Sequence, residues 1–127
     1  MFVAAGVGIT PLMSMLRYMR DRREARRVLL VYANRGSADI VFRSELESIQ
    51  AGGFPALETI HVLSQPPADW DGPSGRLDTE ALRSLCGGFA GKTFFICCPP
   101  AMAAGLIRGL KGAGVGPGRI HADYFGL

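Results

Sequence analysis

The sequence predicts an α/β fold, a five-stranded, parallel, doubly wound sheet with helices on both faces. Short apolar runs alternate with amphipathic stretches from one end of the chain to the other. The stretch "RVLLVYAN" (residues 27–34) is almost continuously apolar, as in parallel strands that are covered on both faces. Because strand–helix–strand connections are right-handed crossovers, this alternation predicts parallel strands between two layers of helices.

Composition indicates one domain with a sizeable core. The chain has 127 residues, is 48% hydrophobic and carries a net charge of +3. Its arginine-rich stretch, residues 17–27, is interrupted by Asp21 and Glu24, which favours a solvated helix face over a nucleic-acid surface. Three cysteines favour a reducing compartment, and no segment is long and apolar enough to cross a bilayer. We therefore expect a cytoplasmic domain with no nucleic-acid partner.

The first predicted unit is a strand over residues 1–5 followed by a helix. Thr10 is the expected cap of that helix, and Pro11 suits its first turn. Apolar residues then recur at helical spacing on one face, at Leu12, Met15, Leu16 and Met19.

The middle of the chain predicts two more strands, over residues 27–34 and 56–64, with a helix between them. Asp39 is the expected cap of this second helix, and Gly52-Gly53 ends it. Its predicted buried face consists of Phe42, Leu46 and Ile49.

The last third begins with a Gly/Pro-rich loop, "PADWDGPSGR", at residues 67–76. A short helix over residues 78–86 and a fourth strand over residues 92–98 follow. Pro99-Pro100 starts a fourth helix, and residues 119–125 form the final strand.

The turn "GVGITP" after the first strand is a candidate phosphate site. In doubly wound sheets, ligands bind at the carboxyl ends of the strands near the point where the strand order reverses. Gly6 and Gly8 would let a pyrophosphate approach the backbone, while Thr10 and the free N–H groups of the helix start would bind it. A tight turn that binds no ligand has the same pattern, so Gly-x-Gly alone does not distinguish a phosphate site from such a turn.

Together, "GVGITPLMSML", "LSQP", "GPSGRLD" and "FFICCPPAM" resemble the nicotinamide-nucleotide-binding domain of the ferredoxin–NADP reductase superfamily, which includes ferric-reductase-like members. The resemblance covers essentially the whole chain in order. It implies that the cofactor's pyrophosphate is held by Gly6, Gly8, Ile9, Thr10 and Pro11.

The resemblance also implies a nicotinamide side. The family's Cys-Gly-Pro-x-x-Met corresponds to Cys97, Cys98, Pro99 and Met102, with Cys97 flanking the nicotinamide. Cys98 replaces the family's glycine, and its thiol is expected to crowd the nicotinamide or to shift the loop. From the residues alone, Cys97 is equally well a buried cysteine at the end of a strand.

The ending "IHADYFGL" is similar to the family's carboxy-terminal strand, where an acid precedes an aromatic residue near the flavin. Asp123 stands in place of the more usual glutamate, and Phe125 would lie against the isoalloxazine ring. With Cys97 they are the candidate catalytic residues, although a solvent-exposed terminal aromatic is the alternative for Phe125. His61 and His121 lack partners at metal or triad spacing, so no metal site is expected.

The end of the second strand bears on the choice between NADPH and NADH. An acid there would accept the 2′-hydroxyl of NAD, whereas arginine suits a 2′-phosphate. The sequence has Asn34 and Arg35 without an immediate acid, and Ser37 and Arg43 are close. This pattern favours NADPH slightly, but similar NADH-using proteins also have arginine there, and both cofactors remain candidates.

Family members place a flavin-binding β-barrel before this domain, and residues 1–127 contain no sequence for one. We therefore expect an NAD(P)-binding domain from the C-terminal part of a larger flavoprotein reductase, which transfers hydride to FAD in a separate N-terminal domain. Whether that parent is membrane-associated and what accepts its electrons are open.

Two other functions are alternatives to hydride transfer. A non-catalytic nucleotide-sensing or regulatory module is the main alternative, but it would not need Cys97, Met102 and Phe125. Thiol chemistry at Cys97-Cys98 is disfavoured because neighbouring residues of a strand point to opposite faces.

Overall fold

The predicted fold class is confirmed. A computed structural model describes residues 1–124, and its five parallel strands form one sheet in the order β3-β2-β1-β4-β5. The strands are β1 (Phe2–Ala5), β2 (Arg27–Asn34), β3 (Ala56–Leu63), β4 (Phe94–Cys98) and β5 (Ile120–Tyr124). The helices are α1 (Ile9–Asp21), α2 (Arg43–Gly52), α3 (Thr79–Cys86) and α4 (Pro100–Gly112). Short 3-10 turns occupy Gly6–Gly8, Ser37–Asp39 and Pro117–Arg119.

Two hydrophobic layers pack on opposite faces of the sheet. Along β1, Phe2 and Ala4 face the layer that contains α1 and α2, whereas Val3 faces the layer that contains α4. This alternation follows from the period of two along a strand. The helix faces predicted from periodicity are confirmed, with buried or partly buried side chains at Leu12, Met15, Leu16, Met19, Phe42, Leu46 and Ile49.

The strand order places the reversal point between β1 and β4. From β1 the chain first builds β2 and β3 on one side, and then returns to place β4 and β5 on the other. The connections therefore leave β1 and β4 in opposite directions, which opens a crevice at their carboxyl ends. In the register of the sheet, Ala4 pairs with Cys97, and Cys97 pairs with Asp123.

Two predicted helix caps are wrong. Helix α1 begins at Ile9, directly after the Gly6–Gly8 turn, and has no side-chain cap. Gly6 has a φ of +55°, which lets the chain pass from strand to helix before Thr10 is reached. Asp39 belongs to a separate turn, where its carboxylate accepts the N–H of Gly36 at 3.0 Å, and α2 begins at Arg43.

Other boundaries agree closely with the sequence. Asp78 caps α3 by accepting the N–H of Ala81 at 2.9 Å, and Gly53 and Gly87 end their helices in the left-handed conformation. None of the helices within residues 1–124 has the length and apolar character that a membrane crossing requires.

Candidate functional site

A cleft of about 600 Å³ lies at the carboxyl edge of the sheet. Its walls come from the segments that follow β1, β2 and β3, from the loop before α3 and from the first turn of α4. The lining residues are Ala5, Gly6, Val7, Ala33, Asn34, Arg35, Asp39, Ser64, Gly75, Arg76, Leu77, Pro99 and Met102. This is the place where open α/β sheets bind ligands.

The two glycines of the turn after β1 have different roles. Gly6 lines the cleft, and a Cβ placed on it would meet no atom within 4 Å. Gly8 is buried, and a Cβ there would overlap the Cys97 carbonyl of β4. The expectation that Gly8 leaves space for a pyrophosphate is therefore corrected, because the backbone of β4 occupies that space.

The helical segment begins at Gly6, before the predicted start at Thr10, so its first N–H groups belong to earlier residues than expected. The N–H of Ile9 already donates to the Gly6 carbonyl, and the Ile9 side chain is fully buried in the core. The N–H groups without a partner inside the helical segment are therefore those of residues 6–8. Thr10 is exposed, and neither Thr10 nor Pro11 lines the cleft.

The end of β2 presents two polar side chains to the cleft. The side-chain nitrogen Nδ2 of Asn34 is buried and has no hydrogen-bond partner among residues 1–124. Arg35 is exposed and forms no ion pair within that range. Their backbone carbonyls accept the N–H groups of Ser64 and Gln65 at 3.0 and 2.8 Å, which fixes this part of the wall.

The sequence reasoning missed Arg76, which contributes a second cation to the cleft. Its loop folds back on the end of β3, where the N–H of Leu63 donates to Pro73 at 3.2 Å and that of Gly75 donates to Leu63 at 2.9 Å. Arg76 forms no ion pair in the described chain. The motif "GPSGRLD" carried the signal, since its arginine follows a glycine turn near a strand end.

Ser37 and Arg43 lie outside the cleft. Ser37 is half-buried in its 3-10 turn, and Nε of Arg43 lies 3.6 Å from the Glu47 carboxylate on helix α2. The cofactor contacts that the sequence suggested for them stay predictions. Of the predicted cofactor residues, the structure brings together Gly6, Asn34, Arg35, Pro99 and Met102.

The adjacent cysteines point to opposite faces of the sheet. Cys97 packs in the layer of α1 and α2, and Cys98 is fully buried in the layer of α4. Burial, and secondarily the Asp123 charge, raises the pKa of Cys97, while burial and Cys97 raise the pKa of Cys98 to about 11. Both are thus protonated near neutral pH. The thiol of Cys98 fills the core and does not line the cleft, which corrects the expectation that it crowds the nicotinamide.

The candidate flavin-side residues lie at the edge of the sheet. Asp123 is exposed on β5 beside Cys97, and Phe125 lies outside the described residues. The catalytic roles suggested for Cys97, Asp123 and Phe125 stay predictions. Within residues 1–124, the side chains of His, Cys, Asp and Glu form no group of three that could hold a metal ion.

The family described as "Oxidoreductase NAD-binding domain" matches residues 2–107, which extend from β1 into α4. The chain belongs to this family. The match includes the cleft and all of the residues that line it. It confirms the resemblance to the nucleotide-binding domain of the ferredoxin–NADP reductase superfamily.

Individual relatives are reductases. The chain is 34% identical over 110 residues to the nitrate reductase [NADPH] of Beauveria bassiana, an alignment that covers 84% of this chain and 12% of that protein. It is 30% identical over 118 residues to NADH-cytochrome b5 reductase 2 of Aspergillus terreus, covering 91% of this chain and 36% of that protein. The chain thus spans only about an eighth of the first relative and about a third of the second.

A solved structure gives the same result. The CS-b5R domains of human Ncb5or, in the NAD+ form, superpose with a TM-score of 0.83 at 27% identity, over 95% of this chain and 35% of that one. This chain is therefore an NAD(P)H-binding domain of the type found in flavin-dependent reductases, and a non-catalytic sensing module is not favoured.

Proposed function

We propose that this domain holds NAD(P)H in the cleft and positions its nicotinamide for hydride transfer to FAD in a separate N-terminal domain of a larger reductase. The observation that carries the proposal is a set of polar groups at one sheet edge that have no partner among residues 1–124. This set consists of the Asn34 amide and the Arg35 and Arg76 guanidinium groups. Such groups, in a site of net positive charge, suit a phosphate-bearing ligand.

Each part of the cleft has a task that follows from its chemistry. The N–H groups of residues 6–8 and the positive end of the helical segment would bind the pyrophosphate. Asn34 would donate its free N–H to an acceptor on the dinucleotide. Pro99 and Met102 would bound the nicotinamide end, where β4 meets α4. FAD supplies the hydride acceptor, so this domain contributes binding and orientation.

Within this proposal, NADPH is the preferred cofactor. Arg35 and Arg76 both line the cleft, and guanidinium groups match the geometry of a 2′-phosphate. Asp39 also lines the cleft, but its Oδ2 already accepts the N–H of Gly36. Two cations against one engaged carboxylate favour the more negative cofactor. The three cysteines are free thiols, which supports a reducing, cytoplasmic location.

Calorimetric titration of the purified chain with NADPH and NADH tests this function. We expect weak, saturable binding with NADPH ahead of NADH, and almost no reduction of ferricyanide until the flavin domain is added. Reduction of FAD should then follow in stopped-flow mixing with that domain. Purified chain that carries stoichiometric FAD and reduces ferricyanide quickly would contradict the assignment of FAD to a separate domain.

A further inference from the structure

Tyr32 lies in β2, and its side chain is fully buried in the layer of α1 and α2. Its hydroxyl makes two hydrogen bonds of 3.3 Å, one with the Gly6 carbonyl and one with the N–H of Val41. A carbonyl can only accept and an amide N–H can only donate, so both directions are fixed. The hydroxyl donates to Gly6 and accepts from Val41.

These two bonds join separate walls of the cleft. Gly6 belongs to the turn after β1, whereas Val41 belongs to the segment of residues 35–42 between β2 and α2. Among the hydrogen bonds of residues 1–124, those of the Tyr32 hydroxyl are the ones that connect the 6–8 turn with the 35–42 segment. Beyond the pairing of β1 with β2, the Tyr32 hydroxyl thus links the two walls directly.

At Gly6 and Val41 themselves, side-chain packing restrains the two walls little. Gly6 has a positive φ and open space where a side chain would be. Val41 is 43% exposed, and Phe42 after it has a φ of +60°, a conformation that residues other than glycine rarely adopt. The Arg17 guanidinium, 5.1 Å above the Phe42 ring, holds the far side of this bend. The near side is held by Tyr32 through Val41.

We propose that Tyr32 is a positioning residue for the dinucleotide, although it does not line the cleft. Its hydroxyl sets the distance between the turn proposed to bind the pyrophosphate and the segment that carries Arg35. The proposal rests on the proposed function. A site that is ordered before binding loses less conformational entropy when the ligand arrives, so removing the link weakens binding.

The test is Tyr32→Phe, which keeps the ring in the core and removes the two hydrogen bonds. We expect the affinity for NADPH and for NADH to fall about three- to tenfold, the effect of a lost hydrogen bond. In the protein without ligand, hydrogen exchange at the Val41 amide should become faster, while exchange in the centre of the sheet follows global stability.

Two control variants separate positioning from stability. Tyr18→Phe removes a hydroxyl from an exposed tyrosine of α1, and should change neither measurement. Ile96→Val trims a buried side chain in the opposite layer, and should lower the melting temperature without changing the affinity.

The outcomes are distinct. Faster exchange at Val41 together with weaker binding supports the proposal. Unchanged exchange refutes the link, and faster exchange with wild-type affinity refutes the positioning role. If Tyr32→Phe and Ile96→Val have similar melting temperatures and lose the same affinity, the loss comes from reduced stability and the positioning role is refuted. If the wild-type chain binds neither dinucleotide, the proposed function itself fails, which the wild-type titration shows independently of any variant.

Discussion

At the scale of single residues, the cleft is defined by polar groups that the described chain leaves without partners. Most arginines here form ion pairs or lie over aromatic rings, as Arg17 does with Glu45 at 2.7 Å and with Phe42. Arg35 and Arg76 do neither. Such groups break no internal contact when a phosphate binds, so binding costs them only hydration and side-chain freedom.

The first prediction concerns these arginines. Arg35→Ala or Arg76→Ala should weaken NADPH binding by about 1.5–3 kcal/mol, the range for hydrogen bonds to charged groups. NADH should lose less where the arginine contacts the 2′-phosphate, and calorimetric titrations of both cofactors measure the difference. Arg108→Ala, on the exposed face of α4, is the matched control. Equal losses for both cofactors would mean that the mutated arginine does not read the 2′-phosphate.

The second prediction concerns the buried thiol of Cys98. Its pKa is raised from 9.0 to about 11, so the folded state holds this proton more tightly than the unfolded state does. The resulting stabilisation is complete below the unfolded value and is lost as pH rises through the folded one. Cys98→Ala should therefore flatten the decline in the free energy of unfolding between about pH 9 and pH 11, as measured by urea denaturation.

Cys86→Ala serves as the control for this experiment, because Cys86 is only half-buried at the end of α3. That variant should keep the wild-type decline at alkaline pH. If Cys98→Ala and wild type lose stability in parallel, the Cys98 proton does not contribute to the alkaline transition.

At the scale of elements, the turn between β1 and α1 is determined by how closely two backbones approach each other. The helical segment starts within one residue of β1 and passes directly over the Cys97 carbonyl at the end of β4. That packing places Gly6 and Val7 at the edge of the cleft. Position 8 thus requires glycine because the start of α1 packs against β4, and the ligand site depends on this packing only indirectly.

The third prediction follows from that junction. Gly8→Ala should lower the free energy of unfolding by about 3 kcal/mol or more, the upper end of overpacking costs, since backbone must move. Gly105→Ala, in α4 with open space around it, should instead stabilise by about 0.5–1 kcal/mol. Urea denaturation compares the two. A harmless Gly8→Ala would show that α1 and β4 are less closely packed than described.

At the scale of the whole molecule, the sequence predicted the architecture because every level of pattern agreed. Apolar strands, helical periodicity and glycine endings all required the same alternation, and the boundaries of β2 and α3 followed closely. The site was predicted less completely. Arg76 reaches the cleft through a loop that folds back on β3, and Gly8 is constrained by a strand almost ninety positions away in the chain. Local spacing carries no information about either contact.

The helix caps also show that local sequence spacing predicts the structure incompletely, here over only a few residues. Thr10 and Asp39 have side chains that suit caps, but each lies in the wrong place to act as one. The turn at Gly6–Gly8 starts the helical segment before Thr10, and Asp39 belongs to the separate turn Ser37–Asp39. The resemblance aligns Cys98 with a glycine and says nothing about its side chain, whereas the register of β4 directs that side chain into the core.

An amide NMR titration of the chain with NADPH tests most directly whether the cleft at the carboxyl edge binds the dinucleotide. Binding there should shift the amide resonances of Gly6, Val7, Asn34, Arg35, Gly75 and Arg76. The resonances at the opposite edge of the sheet, such as those of Val28, Leu57 and Lys92, should stay in place. Shifts centred on that opposite edge, or saturation without any change at residues 6–8 and 34–35, would contradict the claim.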